Sequence, residues 1–487
     1  MSIAFLVSTQ GLLQYSKLRG KIVISNEVSH EPLTPQSAKQ EVNMSDNINI
    51  LDERSRLILH RTAREDIKKG ITIMAKGEGV RLVDKEGKRY LDMEAGITRP
   101  VHVGYGRQEI ARAAYDQMCT LHYFCPGGYG NEPAMQLADR LADITPDAIN
   151  RFTFECSGSE AVESAMKLAK HYHYFNGNKA CFKVISRKGA YHGVSGYGVR
   201  ALGTVMPMRQ IMEPVAPGAV FVESPYCYRC AYGLAYPDCD LRCARDIERT
   251  IEFENPELIS AFIGEPIMQG FGAYAPPREY WPIVREICSK YGILLIIDEV
   301  ICGFGRTGKM FGIEHFEIQP DLMTMAKGLT SGYVPLSAVG CTDEVMKPIE
   351  NFLHLHTYGN HPVACAAGLK NIEILQKENL VRNSREMGKY FLEGLKALER
   401  HPIVGEVRGT GLWLGLDFTS DKKLRAPFPL QRMNNIITRA KQLGVLFKTM
   451  GFALEFAPPL IITREDIDEA LEVLERCIAE EEKAMGI

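Results

Sequence analysis

The chain has 487 residues, and its 57 Lys and Arg against 60 Asp and Glu leave a formal net charge of −3. At roughly 150 residues per domain that is room for about three domains or one large integrated α/β unit, and a composition 45% hydrophobic and 24% charged supplies a sizeable core. Disorder, collagen and coiled coil are excluded as overall descriptions, and the charge balance gives no footprint for nucleic acid or an anionic membrane surface.

The amino terminus, Met1-Ser-Ile-Ala-Phe-Leu-Val, has no basic region ahead of its short apolar patch and no small-residue cleavage site, so no secretory signal is expected. Residues 1–44 mix turn formers and polar residues without a sustained period and read as a loosely ordered extension, with Met44 a second candidate start. Residues 45–100 are expected to join a small domain, 101–344 to form a large domain and 345–487 to complete the small one. The 13 cysteines are odd in number and several fall inside apparent strands, the usage of reduced thiols in a cytoplasmic protein. The longest apolar runs, such as Ile293 to Ile297, fall far short of the ~20 residues of a membrane span.

Strand candidates follow one another at 152–155, 182–186, 219–222, 259–264, 293–297 and 322–325, with amphipathic helical stretches at 160–173 and 277–291. Strand and helix in turn predict an α/β fold with a mostly parallel sheet covered on both faces. Thr463-Arg-Glu-Asp466 is a capping box that opens a carboxy-terminal helix through Glu482.

Open α/β sheets bind ligands at the carboxyl ends of their strands. Asp298 ends one apolar run and Glu265 another; a carboxylate at such a place needs a cationic or hydrogen-bonding partner, as a helix cap or ion pair or as part of a site. A third strand, 322–325, runs into Lys327-Gly328, where the lysine is either solvated or, beside acids in a crevice, a nucleophile of lowered pKa. Cys156-Ser157-Gly158-Ser159-Glu160 joins a strand to a helix. It reads as a capping box, and equally as a turn whose free N–H groups and two hydroxyls suit a phosphate. It lacks the lysine of a Walker loop and the spacing of a dinucleotide fold, which disfavours an ATPase or a nicotinamide dehydrogenase. A lysine, a strand-end acid and a phosphate turn together are the needs of pyridoxal 5′-phosphate.

From about residue 51 onward the sequence resembles the class III aminotransferases, the ω-transaminase group of fold-type-I pyridoxal-phosphate enzymes. The most specific stretch is Leu295-Ile-Ile-Asp298-Glu-Val300-Ile-Cys-Gly-Phe-Gly-Arg306-Thr-Gly, followed by Pro320-Asp321-Leu and Ala326-Lys327-Gly328, with Lys327 29 residues after Asp298. The resemblance implies a large domain with a seven-stranded, mostly parallel sheet between helices, a smaller α+β domain, and an active site shared across a homodimer or a dimer of dimers. It implies Lys327 as the Schiff-base lysine and Asp298 as the partner of the pyridinium nitrogen. Val300 and Tyr191 match the residues on the two ring faces, His192 stands beside Tyr191, and Glu265 matches an acid near the Asp and the ring. Ser157, Gly158 and Ser159 match the phosphate turn, and Thr357 a phosphate ligand donated by the partner subunit.

The departures bear on substrate. Glu455 stands before Phe456-Ala-Pro-Pro-Leu460 where members acting on α-amino acids carry an arginine, and Lys448 replaces the mobile arginine of the amine:pyruvate members. Arg99, in Thr98-Arg99-Pro100, is a candidate second anion site or a solvated surface residue, and Arg408 matches a small-domain arginine of structural role. The expected reaction moves an amino group from a small-molecule amine or ω-amino acid to a keto acid, pyruvate first, by ping-pong half-reactions. The rivals are an aminomutase or decarboxylase on the same cofactor and a non-catalytic cofactor-binding protein. Cys227, Cys230, Cys239 and Cys243, four thiols within 17 residues, read as packing cysteines, an adventitious disulfide or a structural metal site; no metal ligand is assigned among them.

Overall fold

The computed structural model describes residues 57–60, 62, 64–68, 70–124, 127–196, 210–211, 214 and 217–487. The expected extension over residues 1–44 and the candidate start at Met44 lie outside the described residues. The chain divides between Ile71 and Thr72. The amino-terminal unit contributes helix α1 (Arg64–Lys68), and the body begins with three short strands, β1 (Met74–Glu78), β2 (Arg81–Asp84) and β3 (Arg89–Asp92). Helices α2 (Gln108–Thr120) and α3 (Glu132–Ala142) follow.

The central layer is a seven-stranded sheet. In chain order its strands are β4 (Ile149–Glu155), β5 (Lys183–Arg187), β6 (Ala219–Val222), β7 (Ile259–Gly264), β8 (Leu294–Asp298), β9 (Leu322–Met325) and β10 (Ser337–Thr342). Their spatial order is β4-β10-β9-β8-β7-β5-β6. All neighbours are parallel except β10, which runs antiparallel to both β4 and β9. The period of two along β8 divides its side chains between two cores. Leu294 and Ile296 join the Ala161, Ala165 and Leu168 face of α4 (Gly158–Phe175). Leu295 and Ile297 face α5 (Arg242–Glu254) and α6 (Tyr280–Tyr291) through Ile247, Trp281 and Val284. Burial on both faces is why these strands are unbroken apolar runs.

The sequence-expected strands are found within a residue or so at most ends, though β4 starts at Ile149, earlier than the expected Phe152. β8 extends through Asp298, so the acid belongs to the strand itself. β10 escaped the sequence reading: Ser337-Ala-Val-Gly-Cys-Thr is made of small residues without a strong apolar run.

Beyond β10 come α7 (Asp343–Met346), α8 (Pro362–Lys377) and α9 (Leu380–Ala397), then a second sheet of five strands. This sheet comprises β11 (Val404–Thr410), β12 (Trp413–Asp421), β13 (Ala426–Pro427), β15 (Lys448–Met450) and β16 (Ala453–Phe456), with helices α10 (Leu430–Gln442) and α11 (Arg464–Met485) alongside. The two-residue β14 (Val445–Leu446) pairs in parallel with β3, so residues before position 100 and after 440 share one small sheet. Among the described residues no helix is long and apolar enough to cross a membrane.

Candidate active site

Four segments converge at the carboxyl ends of β7, β8 and β9. Asp298, the last residue of β8, is buried and accepts from three sides. The His192 ring nitrogen Nδ1 lies 2.7 Å from its Oδ2, while the Thr324 hydroxyl at 3.0 Å and the Val300 N–H at 3.1 Å donate to Oδ1. Thr324 is the register partner of Asp298 across β8 and β9. A carboxylate held this way keeps its orientation, and among the described residues no lysine or arginine pairs with it.

Glu265 follows β7 and is equally buried. Its Oε1 accepts the Tyr191 N–H at 3.2 Å and its Oε2 accepts from Arg187 Nη2 at 3.2 Å. His192 Nε2 lies 3.9 Å from the same Oε2, beyond hydrogen-bond distance, so the imidazole is bonded to Asp298 and only adjoins Glu265. Neither Arg187 nor Thr324 was singled out from sequence. Their signal is positional: each lies on a neighbouring strand near its carboxyl end.

Lys327 follows β9 with φ +43°, left-handed for a residue with a side chain. It is half-buried. Desolvation, and then the positive charge of Arg99, pull its ammonium down to about 7, against the opposing attraction of Asp298. Lys327 therefore gives up its proton near neutrality.

The turn Ser157-Gly158-Ser159 opens α4. Ser157 caps the helix, its hydroxyl oxygen accepting the Glu160 N–H at 3.3 Å and its O–H donating to Glu160 Oε2 at 2.9 Å. The N–H groups of Gly158 and Ser159 belong to the first turn, where a helix has no intrahelical acceptors. A Cβ at Gly158 would stand 2.9 Å from Val300, and one at Gly193 2.6 Å from the Ser159 hydroxyl. The glycines thus let the turn close against Val300 on one side and the Tyr191–Val194 segment on the other. The Val194 N–H donates to Ser159 Oγ at 3.0 Å. Lys327, Asp298, Val300, the Tyr191–Val194 segment and the Ser157–Ser159 turn are assembled around one place, and their donor groups fit pyridoxal 5′-phosphate.

Thr357 lies on the exposed segment between α7 and α8, its carbonyl accepting the Tyr123 hydroxyl at 2.8 Å. Arg99 is not the solvated surface residue that the sequence left open. It is 1% exposed, hence no surface residue, and its guanidinium is bonded to Glu455 with Glu94 3.9 Å away. Burial pushes the Glu94 carboxyl well up. The Trp413 indole N–H donates to Glu455 as well. Lys448 is the register partner of Glu455 across β15 and β16 and donates to the Ile97 carbonyl at 2.7 Å. Arg408 pairs with Asp417 and, at 2.7 Å, with Glu406, and its Nε donates to the Gly272 carbonyl at 3.0 Å. That is a structural clamp in the five-stranded sheet. Cys227, Cys230, Cys239 and Cys243 are unbonded thiols lining one narrow cleft of about 10 Å³. Burial pushes the Cys243 thiol up to about 12.

The family description "Aminotransferase class-III" matches residues 63–478. Over 446 residues the chain is 38% identical to the taurine–pyruvate aminotransferase of Bilophila wadsworthia, covering 88% of this chain and 96% of the relative. It is 36% identical to the putrescine–pyruvate aminotransferase of Pseudomonas aeruginosa, over 84% and 91% of the two. The ω-transaminase of Pseudomonas jessenii, solved in complex with PMP, superposes with a TM-score of 0.85 at 34% identity, over 88% and 97% of the chains.

Proposed function

The chain belongs to the class-III aminotransferases, pyridoxal-phosphate enzymes that move an amino group from an amine to a keto acid, and on that premise we propose that this member takes a primary amine lacking an α-carboxylate and passes its nitrogen to pyruvate. The observation that carries the substrate reading is Glu455. It stands buried beside the Lys327 pocket with its charge met by Arg99. A carboxylate on the reacting carbon would be repelled by Glu455 unless it displaced that pair, whereas a primary amine brings no such charge. The taurine and putrescine relatives act, by name, on donors of this kind.

Pyridoxal phosphate, when bound, supplies an electron sink that allows the C–H bond beside the amine nitrogen to be broken. The chain's own groups do the rest. Asp298, fixed by His192 and Thr324, would hold the pyridine nitrogen of the cofactor in its protonated form. Lys327 Nζ would take up and return the proton of the substrate carbon that bears the amine. Val300 and Tyr191 would confine the ring, and the turn Ser157, Gly158 and Ser159 would hold the phosphate through its first-turn N–H groups and the Ser159 hydroxyl. Glu265 keeps the Tyr191 backbone in place.

Assembly as a homodimer follows from the same reading. On the segment carrying Thr357, Leu353, Leu355 and Tyr358 are exposed, while His354 and His356 turn inward. Phe124 and Tyr129 are exposed aromatics, and the ring contact of Tyr123 with Tyr358 joins their segment to this one. An apolar patch of this kind marks an interface.

Reduction of the holoenzyme with borohydride should leave the cofactor mass on the peptide containing Lys327, and label on another lysine would overturn the site. A panel of amines with pyruvate as acceptor, read as alanine formed, should favour primary amines. Preference for ornithine-like α-amino acids would overturn the substrate reading while leaving the site standing.

A further inference from the structure

We infer that Cys156, Glu160 and His356 form a binding site for a divalent transition metal of the zinc class, built against the phosphate turn and distinct from the pyridoxal-phosphate site. One ligand atom from each lies within 4.8 Å of the others. Small side-chain rotations bring such a trio to the roughly 3.3–3.8 Å edges of a tetrahedron with ligands at about 2.0–2.3 Å. Thiolate, imidazole and carboxylate together are a borderline donor set that suits Zn²⁺ or Co²⁺ and not Mg²⁺ or Ca²⁺. All three residues are half-buried, and three protein ligands leave a fourth position for water.

A second observation points to the same ion. His356 uses Nε2 toward Glu160 Oε1, at 3.1 Å. Its other nitrogen, Nδ1, faces Glu155 Oε2 at 3.6 Å. Glu155 is 1% exposed, and among the described residues neither this oxygen nor His356 Nδ1 has a hydrogen-bond partner. The other oxygen of Glu155 is taken by Ser164, at 3.0 Å, and by His354 Nε2, also at 3.0 Å. A buried carboxylate behind the distal nitrogen of an imidazole is the arrangement that fixes the tautomer and raises the basicity of metal-binding histidines.

The position gives the ion a structural task. Glu160 Oε2 holds the Ser157 hydroxyl at 2.9 Å and the Cys156 N–H at 3.1 Å, and His356 adjoins Thr357. An ion shared by Glu160 and His356 ties the turn at the start of α4 to the segment that carries Thr357.

The test is cobalt substitution during expression in zinc-depleted medium, with the purified holoenzyme compared against its zinc-grown counterpart so that cofactor absorption cancels. The expected result is cobalt in proportion to protein, with a thiolate-to-cobalt charge-transfer band and tetrahedral ligand-field bands. Cys156→Ser should remove the charge-transfer band. His356→Gln, which keeps the thiol, should lose the ligand-field bands, and it carries the test if the serine variant does not fold. Glu155→Gln should weaken cobalt retention about 10- to 100-fold. Cys227→Ser should leave both spectra intact. Bands that survive Cys156→Ser, bands lost in Cys227→Ser, or wild-type enzyme purified without cobalt would each overturn the site.

Discussion

An amine that must act as a nucleophile has to lose its proton first, and Lys327 sits where burial and the Arg99 charge lower its pKa to about 7. Reconstitution of cofactor-free protein should therefore accelerate as pH rises through about 7 and then level off; a rate still climbing toward pH 10 would contradict the assignment. The sign for stability is the same. Between about 7 and 10.5 the unfolded chain binds a proton at this lysine that the folded chain does not, so this group makes cofactor-free protein more stable as pH rises across that window. Thr324→Val keeps the shape of the residue beside Asp298 but removes a donor from its buried Oδ1. The expected loss is about 1–3 kcal/mol, read as a lower melting temperature of the holoenzyme and faster release of cofactor. Strand-end acids and the lysine were legible in the sequence because a charge that terminates an apolar run stands out. Their partners were not. Glu455 lies 356 residues from Arg99, and no local pattern announces that the two share a buried pair.

At the scale of elements, legibility followed the apolar character of the side chains and not burial, since β10 is as buried as β7 and β8. β7 and β8 are apolar on both faces and read plainly, whereas β10 is held by neighbours on both edges and needs no strong pattern of its own. The capping box at the start of α11 was readable from four residues, and the structure closes it in both directions, Thr463 Oγ1 accepting the Asp466 N–H at 3.3 Å and Asp466 Oδ2 accepting the Thr463 N–H at 3.2 Å. Thr463→Ala should lower stability by about 0.5–2 kcal/mol without altering the cofactor spectrum. Gly158→Ala is the contrasting case. A methyl there meets Val300 at 2.9 Å, and overpacking of this sort costs about 1–3 kcal/mol. Because the clash lies between the anion turn and a residue flanking the ring, cofactor affinity should fall together with the melting temperature. Loss of stability with affinity unchanged would separate the turn from phosphate binding.

For the whole molecule, the decisive question is whether one chain completes the site of another. Co-expressed Lys327→Ala and Thr357→Ala chains should recover activity on mixing, because a mixed dimer contains one site with both groups intact and one site with neither. Failure of complementation despite proven mixing would mean that each chain builds its own site. The sequence carried the layered architecture far because strand and helix alternate through its middle. It said little about how residues before position 100 return to the carboxy-terminal part, since β3 and β14 meet over two register pairs only.

The left-handed backbone at Lys327 bears on what happens to this protein when selection for activity lapses. An L-residue in that conformation costs of order 1–3 kcal/mol, and glycine adopts it freely. Two burdens, a desolvated amine and an unfavourable Cβ, are thus concentrated at a position whose occupant catalysis dictates. Substitution by alanine lifts the first and keeps the second; substitution by glycine lifts both. Cofactor-free Lys327→Gly should accordingly melt above cofactor-free Lys327→Ala. A descendant of this chain that drifts toward a purely structural life would find glycine at position 327 the more durable choice.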